Sequence, residues 1–183
     1  MRFALNNQVD LFMKIIFLDI DGVLQPDVQK RFSHNLDELK QKFIAQNKEF
    51  ETLDKYDLGA VYYDWDQTAI ALLKQLCEKT GAKFVISSDW RINKNLQKLK
   101  LLFSIHGMEE YVFDTLPNKW TDLHRSQEIQ NHLQAHEEIT RFVVIDDTYA
   151  SEFNRDFPSK FVHTRWAFNA EDYAKAVKIL GGK

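Results

Sequence analysis

Short apolar runs alternate with longer amphipathic stretches along this chain, the pattern of a parallel sheet whose strands are joined by crossover helices. The runs are IIFL at 15–18, KFVIS at 83–87, YVF at 111–113, RFVVID at 141–146 and a short stretch at 160–163. Between them, Leu36, Leu39, Phe43, Asn47 and Phe50 fall on roughly one helical face, and Lys55 to Asp64 reads as a loop. Ala69, Leu72, Leu73 and Leu76 mark a helix that Thr80 and Gly81 should stop, and Leu96, Leu99, Leu102 and Phe103 mark another that ends near Gly107. Residues 121–134 predict a fourth helix with Ile129 and Leu133 inward, and Tyr173, Val177 and Leu180 a closing one. No repeat or low-complexity linker interrupts the pattern, so one domain over 1–183 is the economical expectation.

The first run ends in two aspartates one residue apart. Alternation along an extended backbone sends Asp19 and Asp21 to the same side while Ile20 points away, so two carboxylates face one small volume. Each raises the other's pKa unless a cation sits between them, which implies a bound hard metal or a shared proton. An acidic turn is the alternative, because Asp and Gly are ordinary turn formers. Two further runs end in suggestive residues: Ser87 and Ser88 with Asp89, Trp90 and Arg91 behind, and Asp146 with Asp147. In a parallel sheet these ends share one edge, where open α/β sheets place their chemistry. Asp146 or Asp147 can supply further oxygen ligands for Mg²⁺ beside Asp19, and Ser87 a hydroxyl. The amides of Ser88 and its neighbours can cradle an anion at a helix start.

Composition narrows the partners. The 44% hydrophobic and 28% charged residues are those of an ordinary soluble globular protein, and a net charge of −3 disfavours a general polyanion binder. The single cysteine, Cys77, leaves no intrachain disulfide and, among Leu72, Leu73 and Leu76, reads as a core thiol. Polar Asn6, Asn7, Gln8 and Asp10 interrupt any signal-peptide apolar region, and no run reaches membrane-spanning length, so a soluble, cytoplasmic protein is the default expectation.

FLDIDGVL resembles the first motif of the haloacid dehalogenase (HAD) superfamily, VISS its second and FVVIDD its fourth. In detail, FLDIDGVL, ISSDWR, the RSQEI segment and VIDD resemble the small HAD domains of Swiss-army-knife RNA repair proteins, over about residues 14–148. The resemblance implies an α/β fold, a Rossmann-like three-layer sandwich with a central parallel sheet and a small helical cap insertion at about 25–64. It also implies a Mg²⁺-dependent phosphomonoester hydrolase. Asp19 would attack phosphorus and become an aspartyl phosphate, while Asp21 protonates the leaving oxygen and later deprotonates the attacking water. Mg²⁺ would be held by Asp19, the Asp21 backbone carbonyl and Asp146, with Asp147 as ligand or outer partner. Ser87 joins the catalytic set, Ser88, Gly22 and Arg91 are the phosphate-contact candidates, and the third-motif cation is Arg125 with Lys119 as fallback. An acidic residue at position 21 marks the superfamily's phosphatases, which sets dehalogenation aside.

Residues 25–64 leave room for one long helix and a loop but no complete second domain. A lightly covered crevice of that kind suits a bulky phosphoester, a phosphorylated protein or a nucleic-acid end. Tyr62, Tyr63 and Trp65 either border the pocket or pack in the core. At the pocket they would suit phosphotyrosine, whose leaving group has a pKa of about 10. The rival readings are a nucleic-acid end-repair phosphatase and a catalytically silent phosphate-binding module. Helical spacing makes Arg91, Lys94, Lys98 and Lys100 the polar side of an amphipathic helix in preference to a phosphate-backbone strip. His132 and His136, four residues apart, have zinc-compatible spacing but lack an HExxH glutamate, so a solvated helix face is the preferred reading.

Overall fold

The apolar runs become a sheet of five parallel strands in the computed structural model, which describes residues 13–148 and 151–181. Residues 1–12, whose polar character bears on the signal-peptide expectation, lie outside the described residues. Strand β1 (Met13–Leu18) is central, flanked by β2 (Lys83–Ile86) and β4 (Ile139–Asp146), with β3 (Val112–Thr115) and β5 (Phe161–His163) at the edges. Register is set by backbone pairing of Leu18 with Ile86 on one side and with Ile145 on the other.

Both faces of the sheet are covered, which is why its strands are apolar at consecutive positions. Ile16 and Leu18 of β1 join Phe84, Ile86, Val143 and Ile145 in one cluster, under helices α3 (Gln67–Thr80), α4 (Leu96–Ser104) and α7 (Ala170–Leu180). Ile15 and Phe17 point the other way with Val85 and Val144, under α5 (Arg125–Ala135) and α6 (Ser151–Asp156). Period-two alternation along β1 thus builds a three-layer α/β sandwich. Cys77 is buried in the larger cluster, and burial pushes its thiol pKa up, as a core thiol requires.

Helix ends follow local chemistry. The Asp66 side chain accepts from the Ala69 amide to start α3, and Gly81 ends it at φ 73°, a left-handed position that glycine adopts without a Cβ penalty. The insertion departs from expectation in two places. The helix expected through Phe50 stops at Gln46 as α1 (Leu36–Gln46), because Asn47 turns extended and its side chain caps a new turn at Glu49. Phe50 reaches the core from that turn by packing on Phe43. The segment expected to be a loop is helical: α2 (Lys55–Gly59), capped by Asp54, runs into a wide turn at Ala60–Asp64. Leu58 and Val61, three apart, are fully buried, and Asp64 pairs with Arg31, so burial on one face outweighs the polar sequence around it.

Smaller differences concern α5, which begins at Arg125 and not at Thr121, and α6, a short helix carrying buried Phe153 that periodicity over so few residues did not announce. No helix among the described residues is long and apolar enough to cross a membrane.

Candidate active site

Because β2, β1 and β4 are neighbours, their carboxyl ends bring Asp19, Asp21, Ser87, Ser88, Asp146 and Asp147 to one edge of the sheet. The backbone continues the pairing one residue further, with the Asp19 amide donating to the Ile145 carbonyl at 3.0 Å and the Ser87 amide to Leu18 at 3.0 Å. Asp19 and Asp146 are almost wholly buried, whereas Asp21 and Asp147 face solvent.

Arg125 organises the buried pair. Its Nη1 donates to Asp19 Oδ1 at 3.2 Å and to Asp146 Oδ2 at 2.9 Å, while Nη2 reaches Asp89 Oδ1 at 3.0 Å. It is held there because it opens α5, whose Ser126 amide donates to Glu152 at 2.8 Å. Burial works against the Arg125 charge, but Asp19 and Asp146 outweigh it and keep the guanidinium firmly protonated. Lys119 is exposed on the preceding loop. Of the two cations expected at this position, the structure places Arg125 beside Asp19.

The carboxylates carry the marks of shared charge. Burial and then repulsion from Asp146 hold the Asp19 pKa well above the usual range, opposed by Arg125 and the Ser88 hydroxyl. Burial also raises Asp21, opposed by the Trp90 indole, whose Nε1 donates to Asp21 Oδ1 and Oδ2 at 3.3 and 3.2 Å. Asp147 is raised by burial and by Asp146 and Asp21. Donor oxygens of Asp19, Asp146 and Asp147 lie within 4.8 Å of one another. An all-oxygen cluster with more negative charge than Arg125 can balance fits a hard divalent cation such as Mg²⁺.

A family model described as the HAD domain in Swiss Army Knife RNA repair proteins matches residues 15–172. The chain belongs to that family. A haloacid dehalogenase-like hydrolase family protein from Streptococcus pneumoniae is a distant likeness, 13% identical over 91% of each chain with a TM-score of 0.44. No curated protein matches the chain.

Within this HAD domain the remaining expected residues divide. Gly22 sits at φ +67°, and a Cβ there would collide with the Asp147 carboxylate, so the position needs glycine. Its amide donates to the Gln25 carbonyl at 2.7 Å, which fixes the turn that leaves room for the Asp147 side chain. Ser87 is fully buried and its hydroxyl has no hydrogen-bond partner, while Ser88 is the serine that acts on Asp19.

Arg91 is placed differently from a crevice residue or a solvated helix side. It is 3% exposed, with Nη2 on Glu128 Oε2 at 2.6 Å, Nε on the Pro117 carbonyl at 2.9 Å and Nη1 on the Ser87 carbonyl at 2.6 Å. It braces the Ser87 turn against the helix that carries Arg125. Trp65 is core, against Phe103 and His106, and Tyr63 stacks on His34 inside the insertion. Neither these residues nor Tyr62 is among those that line the cleft beside Asp21, so of the two readings open to them Trp65 takes the core. The rings at the site are Trp90 and Trp166, which sequence reading did not assign. Trp90 stands two residues past the VISS motif, and that proximity is its one signal in the sequence.

Proposed function

We propose that this HAD domain is a Mg²⁺-dependent phosphomonoester hydrolase that works through an aspartyl phosphate and acts on a phosphorylated nucleic-acid end. The observation that carries the hydrolase reading is Arg125 bridging Asp19 and Asp146, one strand turn from an Asp21 whose carboxyl is held toward its protonated form. In the first step an Asp19 oxygen attacks phosphorus, the bond to the leaving oxygen breaks, and the Asp21 proton goes to that oxygen. In the second step Asp21 takes a proton from water as the water attacks the phosphoryl group, freeing Asp19 and inorganic phosphate. Arg125 keeps Asp19 oriented and offsets charge on the phosphoryl oxygens. Asp19, Asp146 and Asp147 would hold Mg²⁺, which when bound supplies further positive charge there.

The cleft beside Asp21 supports the substrate. Its volume of ≈ 240 Å³ is lined by Asp21, Gly22, Asp147, Arg31, Arg165 and Trp166 among others. That is below the ~300 Å³ at which pockets begin to enclose a whole small molecule, so a phosphate and its immediate carrier enter while the rest stays outside. Trp166 is 58% exposed, a ring on which an unpaired base can stack, and Arg165 beside it offers a cation to a phosphodiester. The family description, RNA repair, points the same way. A phosphoprotein substrate, phosphotyrosine included, loses its motive because Tyr62, Tyr63 and Trp65 do not line this cleft.

The test is hydrolysis of an aryl phosphate with and without Mg²⁺, wild type against Asp19→Asn. Metal-independent release, or undiminished release by the variant, would sink the hydrolase mechanism. A panel of 3′- and 5′-phosphorylated oligonucleotides and phosphopeptides then tests the substrate. Turnover of the peptides alone would overturn the nucleic-acid reading.

A further inference from the structure

Helix α5 begins at the active site with Arg125 and carries a second cluster further along the same face. Ile129, His132 and Leu133 follow at the i, i+3, i+4 spacing of one helical stripe, and His136, which caps the end of the helix, stacks on His132. His132 lies two turns, about 10 Å, from Arg125. Both histidines are half-buried, their rings stacked at 4.3 Å, and His132 packs edge-on against Phe17 of the central strand. They face Asp114, half-buried on edge strand β3.

Three details of this cluster call for a cation. Donor atoms of Asp114, His132 and His136 lie within 4.8 Å of one another, with His136 Nε2 at 3.9 Å from Asp114 Oδ2. His136 Nδ1 is 2.8 Å from Glu138 Oε1, so in the neutral ring its proton is on Nδ1 and the Nε2 lone pair faces Asp114. His132 Nε2 is sealed from solvent and has no hydrogen-bond partner. A carboxylate oxygen and an imidazole lone pair thus converge with a ring nitrogen of His132, a histidine whose buried Nε2 has no partner, and such an arrangement costs free energy unless something positive joins it.

The geometry points to a metal site formed by Asp114, His132 and His136 for a borderline first-row divalent cation, with Zn²⁺ the best chemical match. Two imidazoles and one carboxylate are a zinc donor set that leaves a fourth position for water. Ligand atoms on a tetrahedral zinc stand about 3.3 Å apart, so the 3.9 Å separation of His136 and Asp114 needs only a small closure. Glu138 plays the part of the outer carboxylate that fixes a ligating histidine's tautomer. The nitrogen donors separate this site from the all-oxygen cluster at Asp19, Asp146 and Asp147, which suits Mg²⁺. Binding would tie the end of α5 to β3, and so secure the helix that presents Arg125.

The experiment uses the tag-free, metal-stripped full chain. Zn²⁺ is titrated by calorimetry, and Co²⁺ is followed by its visible absorption, in wild type and in Asp146→Asn. A single Zn²⁺ that persists in Asp146→Asn, with a tetrahedral Co²⁺ spectrum, is expected. Loss of that binding in His136→Ala is also expected, with about 10- to 100-fold weakening in Glu138→Gln. His132→Ala opens a gap against Phe17, so the half-exposed His136 is the primary variant, and circular dichroism confirms that it folds. Zn²⁺ should raise the thermal midpoint of wild type but not of His136→Ala. No Zn²⁺ bound by Asp146→Asn, or equal binding by His136→Ala, would overturn the inference.

Discussion

Replacing Arg91 tests whether it braces the site from behind or touches substrate. Its guanidinium and the Glu128 carboxylate are paired at 2.6 Å with side chains only 4% and 3% exposed. Arg91→Met fills the volume but strands the Glu128 charge, and breaking a buried pair from one side costs about 3–5 kcal/mol. Against a total stability of about 5–15 kcal/mol this is a large fraction. With a urea slope of about 2 kcal/mol/M, the unfolding midpoint should fall by about 2 M. Adding Glu128→Gln removes the stranded charge and should restore part of the loss. Recovery stays incomplete because the Ser87, Ser88 and Pro117 carbonyls still lack the donor they have in wild type, at about 1 kcal/mol each. A midpoint that barely moves in Arg91→Met, together with a raised KM, would refute the bracing role and return Arg91 to the substrate.

Three further outcomes follow from the geometry. Gly22→Ala must strain a backbone at φ +67° and displace Asp147, so it should cost about 1–2 kcal/mol and raise the Mg²⁺ concentration needed for half-maximal activity; unchanged Mg²⁺ dependence would remove Asp147 from the metal set. Trp90→Phe deletes the hydrogen bond that lowers the Asp21 pKa, so Asp21 should keep its proton to higher pH and the alkaline limb of kcat should move upward; a limb that stays put would separate Trp90 from the general acid. His106, whose Nε2 donates to the Val61 carbonyl at 2.8 Å, has a pKa lowered by burial. The unfolded chain therefore takes up this proton first, near pH ~6.5. Its contribution to stability is present above that pH and is lost as pH falls toward the folded pKa. Urea midpoints across pH should show that slope in wild type and a shallower one in His106→Gln.

The strand ends were legible because two simple signals coincide there. Consecutive apolar residues mark β1, β2 and β4 as buried on both faces, and Asp19, Asp21, Ser87 and Asp146 interrupt those runs where each strand stops. Arg91 was not legible, since a buried arginine with a partner in α5 has the same sequence pattern as an exposed one before a helix. Trp65 and Trp166 illustrate the same gap. Both adjoin polar residues, yet Trp65 fills the core against Phe103 and Trp166 stands at the cleft, a difference decided by packing partners far away in sequence. The insertion departs from its hydrophobic pattern where side-chain caps decide the outcome, Asn47 ending one helix and Asp54 beginning another. The inward placement of His132 and His136 was hidden because their partner Asp114 is on a separate strand, which no local pattern reveals.

Trapping the intermediate tests directly whether Asp19 becomes phosphorylated. Borohydride added during Mg²⁺-supported turnover of an aryl phosphate reduces an acyl phosphate to an alcohol, which peptide mass spectrometry locates. Homoserine is expected at position 19, absent without substrate and absent in Asp19→Asn. Turnover with no reduced residue under conditions that trap a known acyl phosphate, or an adduct on any other side chain, would contradict it.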